Sequence, residues 1–197
     1  MSQQQAPQWA MATPGIVYTV GVACIVLFAL LFGLVTPGAI PLIAVTFMFG
    51  AVTCIAGSIV ELRRGDILLG SICLVFGCLI FGAVGAVLLT AFWAGLGNVD
   101  LRLAAYLAFG IALCLLLFVP PVGKVTWLLV VGFIILAAAA VTLAIGILTG
   151  VPFGLGIMSI SAILFLIFGV IAFYLGTVFI VNTVYGRPVL SPGAPIW

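Results

Sequence analysis

Six long apolar runs, parted by short breaks of polar, Gly or Pro residues, account for most of the chain. The first runs from about Ile16 to Val35 and ends at Thr36-Pro37-Gly38. The second, Ile40 to Val60, meets the first charges at Glu61-Leu62-Arg63-Arg64-Gly65-Asp66. The third covers Ile67 to Phe92 and is followed by a longer break, Trp93 to Arg102. The fourth, Leu103 to Val119, stops at Pro120-Pro121; the fifth, Val125 to Leu148, turns at Thr149-Gly150-Val151-Pro152; the sixth is Phe153 to Val181. None of these runs alternates apolar with polar residues, as a membrane β-barrel strand would. Each approaches or exceeds the roughly 20 apolar residues that one bilayer crossing needs. The pattern predicts an all-α polytopic membrane protein: one domain over residues 1–197 with six transmembrane helices. The sixth run exceeds a bilayer crossing, which predicts tilt or a projecting end. The 1–2 and 5–6 breaks are short enough to make antiparallel hairpins.

Composition removes most other classes. Apolar residues make up 67% of the chain and charged residues 4%, against about a quarter charged in soluble domains. With three acidic residues, one Lys and no His, the usual hydrolytic, phosphoryl-transfer and metal sites lack material, so neither an enzyme nor a cofactor is expected. A net charge of +2 from scattered residues offers no nucleic-acid patch. The five cysteines lie inside apolar runs and read as small buried hydrophobes. Met1 to Thr13 carries four Gln and one Pro and has no basic stretch, so a cleaved signal peptide is not expected.

Charge also orients the chain. Six spans put the N-terminus, the 2–3 and 4–5 breaks and the C-terminus on one side, with Arg63, Arg64, Lys124 and Arg187; the other side has only Arg102. The positive-inside rule then predicts cytoplasmic termini in a multi-pass plasma-membrane protein. No charged residue falls between the helix ends, which disfavours a pump coupled through a buried carboxylate. A transport path here would rest on hydroxyls, backbone amides and apolar constrictions.

Small and polar residues mark helix contacts or a path. Thr46, Gly50, Thr53, Gly57 and Glu61 form one stripe on span 2, because 100° per residue keeps them within an arc of about 80°. Close helix packing is the simpler reading; the functional one gives Thr46 and Thr53 to a solute, with Ser71 as a further hydroxyl, and Glu61 to the cytoplasmic mouth. Cys78, Gly82, Ala86 and Thr90 on span 3, and Ala104, Ala108 and Ala112 on span 4, read as packing seams. Asn182, Tyr185 and Arg187 sit at the cytoplasmic end of span 6, where an interfacial anchor is the simplest role.

Phe49-Gly50, Ala56-Gly57, Glu61, Arg63-Arg64, Gly65 and Phe76-Gly77 follow an order that resembles the acetate uptake transporter family, also called succinate–acetate permeases. The ending, Tyr174-Leu175, Asn182 and Tyr185-Gly186-Arg187-Pro188-Val189-Leu190-Ser191-Pro192, resembles that family's as well. The family's "NPAPLGL" run, which is linked to substrate passage, stands here as Ala12-Thr13-Pro14-Gly15-Ile16-Val17-Tyr18, with Thr13 in place of Asn. The resemblance implies a homohexamer with a pore in each subunit and a hydrophobic constriction. It carries the constriction onto Phe76, Leu136 (with Phe133 competing) and Val22, and makes Thr13 a path residue. The function implied is a channel-like transporter for a small monocarboxylate such as acetate. Two alternatives stay open: a passive channel for neutral solutes such as urea, ammonia or undissociated acid, and a structural scaffold in the bilayer.

Overall fold

The structure is a computed structural model that describes residues 11–95 and 98–196. The Gln-rich stretch before residue 11, read above as uncleaved, lies outside the described residues. The first helix, α1, spans Thr13–Leu31, and a short 3-10 turn at Pro37–Ala39 leads into α2, Ile40–Arg63. The third crossing is continuous but changes its winding: α3 (Ile67–Val75), a π-helical segment (Phe76–Ala83), then α4 (Val84–Ala94). The remaining helices are α5 (Arg102–Val122), α6 (Trp127–Leu148) and α7 (Gly156–Tyr185). Among the described residues, six helical stretches are long and apolar enough to cross a membrane.

Local chemistry sets the helix ends. Asp66 caps α3 by accepting the Leu69 N–H at 2.9 Å, and Thr126 caps α6 by accepting that of Leu128 at 3.2 Å. Gly186, at φ +61°, ends α7 in the left-handed region that glycine tolerates best. α5 departs from the expected stop: it carries Pro120 and Pro121 inside its last turn and continues to Val122. Proline's fixed φ suits a helical turn, and the Gly123 N–H still reaches the Val119 carbonyl at 3.1 Å. α7 is the longest helix at 30 residues, consistent with the length of the sixth apolar run.

The helices pack as a ring. α1 lies on α2 and α7, α7 on α6, and α6 on α5; the third crossing packs on α2 and touches α5 through α3. The α2 stripe divides by role. At Gly50 a Cβ would overlap the Phe81 ring, and at Gly57 it would overlap Ile16 of α1, so both glycines let neighbours approach the backbone. Ser58 ties α2 to α3 by donating to the Gly70 carbonyl at 2.7 Å. After α7 the chain folds back as a strap across the end of the bundle that holds the termini. The Asn182 side chain donates to Leu190 O at 2.8 Å and accepts the Val189 and Leu190 N–H groups at 2.8 and 2.9 Å. Tyr174 donates to Ser191 O at 2.8 Å, Thr126 to Pro192 O, and the Trp127 N–H to Ala194 O at 3.0 Å.

Candidate functional site

Two cavities lie one behind the other inside the ring. The near cavity, at the end that holds the termini, is about 60 Å³ and is enclosed by α1, α3, α6 and α7. Thr13, Val17 and Val20 form its α1 wall, Leu69, Cys73 and Phe76 its third-crossing wall, and Phe133 and Phe168 close it. A cavity needs at least about 10–15 Å³ to hold one water, so this one has room for water. The far cavity is about 490 Å³ and is bordered by all six crossings, from Leu27 and Leu31 of α1 to Phe153 beside the α6–α7 turn. Its wall consists only of aliphatic, Phe, Met, Pro and Gly residues.

Between the cavities lies a closed band. On α1 the near cavity ends at Val20 and the far one begins at Leu27; on the third crossing the corresponding pair is Phe76 and Val84. On α6 the pair is Phe133 and Leu143, and on α7 it is Phe168 and Met158. The members of each pair are seven to ten positions apart, roughly 10–15 Å at 1.5 Å per residue. Ala23, Cys24, Phe81, Leu136, Ala140, Ala162 and Phe165 are buried there, so the band is filled with apolar side chains. The π-helical segment starts at Phe76 and falls within it. Such segments concentrate at functional sites.

The sequence-predicted residues take different places. Phe76 is 4% exposed at the floor of the near cavity, and its ring meets Phe133 across the bundle at 6.0 Å between centroids. Leu136 is one turn further along α6, buried inside the band. Val22 stands apart: it is 45% exposed on α1, and Val20 and Val17 are the α1 residues on the cavity wall. Thr46 and Thr53 border neither cavity; each hydroxyl donates back to its own helix, to Leu42 O at 2.9 Å and Phe49 O at 3.1 Å. Ser71 is half-buried beside Ile72 but off the cavity wall. Asn182 holds the C-terminal strap, and Arg187 is exposed just beyond α7.

Glu61 lies under the first turn of α1, fully buried. Its Oε1 accepts the Ala12 and Thr13 N–H groups, both at 2.8 Å, and the Thr13 hydroxyl at 2.7 Å. Its Oε2 receives Arg64 at 2.8 Å. The carboxylate thus meets the positive end of the α1 dipole and satisfies N–H groups that a helix start leaves unpaired. Because Thr13 also borders the near cavity, this contact fixes how α1 enters its wall.

Ser161 escaped sequence reasoning. It is fully buried at band level on α7, and its hydroxyl donates to Ala139 O of α6 at 2.8 Å. A Ser in the first half of span 6 was the available signal, but spacing alone does not show which neighbour it meets.

The described residues define a polytopic helical membrane protein with two stacked internal cavities and a closed apolar band between them. Its fold is that of a solved structure, the bacterial acetate channel SatP. The two agree at a TM-score of 0.83 over 93% of this chain and 99% of that one, at 21% sequence identity. No model of a known protein family and no curated protein matches the chain.

Proposed function

We propose that the protein is a channel-like membrane transporter for a small monocarboxylate such as acetate. The observation that carries this reading is the pair of cavities aligned across an apolar band only roughly 10–15 Å thick. The acetate channel of the same fold supports the choice of solute. Phe76, with Phe133, gates the near cavity, and Leu136 closes the band behind it. Neither cavity is bordered by Asp, Glu, Lys or Arg, so nothing in their walls offsets the loss of water around a carboxylate. The acid therefore crosses the band undissociated and carries its own proton. The near cavity faces the cytoplasm, and subunits assemble as a homohexamer in the plasma membrane, each with its own path.

Flux of labelled acetate into proteoliposomes tests the reading. Flux should rise as the pH falls and more of the acid is undissociated. Succinate, which would bring two carboxylates into uncharged walls, should compete poorly. Phe76→Ala should raise flux several-fold or blunt selectivity among formate, acetate and urea; unchanged flux and selectivity would return Phe76 to a packing role. No short-chain acid flux from demonstrably folded protein would sink the proposal.

A further inference from the structure

The far cavity is larger than acetate needs, and its wall bears on which acids the protein prefers. At about 490 Å³ it falls in the range of sites that hold whole small-molecule ligands. No wall side chain offers a hydrogen bond: Leu27, Leu30, Val87, Leu107, Leu143 and Met158 are typical of it. A two-carbon acid can cover little of such a surface, whereas an alkyl chain of several carbons can lie along it. The wall is also split, since α4 leans on α2 and the π-helical segment while α5 leans on α6. Ala91, Ala104 and Ala108 face the space between these two helices, so the cavity keeps its width there.

We infer that the far cavity is a binding site for the alkyl chain of straight-chain aliphatic monocarboxylic acids longer than acetate, about four to six carbons. This rests on the channel reading above and names the substrate class of the same path. Each methylene moved from water to this wall is worth about 0.8 kcal/mol, or about fourfold in affinity. The carboxyl end stays toward the solvent side or enters the band undissociated, so no cation in the wall is required.

The test is competition against labelled acetate flux in proteoliposomes, with protein-free liposomes subtracted. Acetate, propanoate, butanoate, pentanoate and hexanoate serve as unlabelled competitors. The half-inhibiting concentration should fall about fourfold per methylene until the cavity is filled. Ala108→Phe, which places a ring in the cavity, should flatten the series; Ala104→Leu, a smaller insert on the same wall, is the second variant should the first not fold. The readout is the hexanoate-to-acetate ratio, which does not depend on total flux. Equal or weakening inhibition with length, in protein that passes acetate, overturns this inference alone. So does a ratio that stays the same in a folded variant. No acetate flux from folded protein overturns the channel reading and this inference together.

Discussion

The two ends of the bundle are built by different means. At the end that holds the termini, side-chain hydrogen bonds join elements: buried Glu61 to Thr13, 48 residues away, half-buried Tyr18 to Thr177 at 2.9 Å, and half-buried Asn182 to the strap. At the far end one backbone bond, Gly154 N–H to Leu31 O at 2.9 Å, joins the 1–2 and 5–6 turns, and among the described residues the helices otherwise meet there by apolar packing. The near cavity beside the polar fastenings is about 60 Å³, and the far one beside the apolar end about 490 Å³. Directional bonds in an apolar surrounding fix positions to within tenths of an ångström, whereas aliphatic packing tolerates several arrangements of similar energy. The near end is held by hydrogen bonds between elements, and the far end is left to side chains that can shift.

Variants can break this contrast, and the largest effect falls on Glu61. Glu61→Ala leaves two N–H groups, one hydroxyl and Arg64 without their acceptor, and should destabilise the protein by about 3 kcal/mol in chemical unfolding. A loss below about 1 kcal/mol would mean that α1 is held by packing alone. Asn182→Ala should act more weakly, by about 1–2 kcal/mol, and show first as proteolysis of the freed strap. Thr53→Ala should be nearly silent, within about 0.5 kcal/mol and with flux unchanged, because its hydroxyl bonds only to its own helix. A flux change in Thr53→Ala would place a path on the outer face of α2, away from both cavities.

The sequence carried the spans and the place of Phe76 inside the bundle better than the polar fastenings. Hydropathy is a local property, so six apolar runs translate directly into six crossings, with the Pro120-Pro121 stop as the exception. The exception is physical: proline's fixed φ suits a helical turn, and the Gly123 N–H carries the winding past both rings to the Val119 carbonyl at 3.1 Å. Periodicity grouped Thr53 with Gly50, Gly57 and Glu61, yet the wide stripe straddles the edge of the packed face: Thr53 is exposed while the other three are buried. The same one-turn ambiguity separates exposed Val22 from Val20 on the cavity wall. The Glu61–Thr13 contact joins positions 48 residues apart, and no local spacing can announce it. The α2 stripe points Glu61 to a mouth and the resemblance points Thr13 to a path, whereas in the structure the two meet as the joint between α2 and α1.

The π-helical segment, Phe76–Ala83, gives the third crossing slack in its backbone at the level of the apolar band. An α-helix rotates by about 100° per residue, so letting the extra winding out would turn α4 relative to α3 like the two halves of a camshaft. Phe76 stands on one half, and Val84, Val87 and Leu88 of the far wall stand on the other. One small change of winding would therefore retime both cavities together, with no helix having to bend or leave its neighbours.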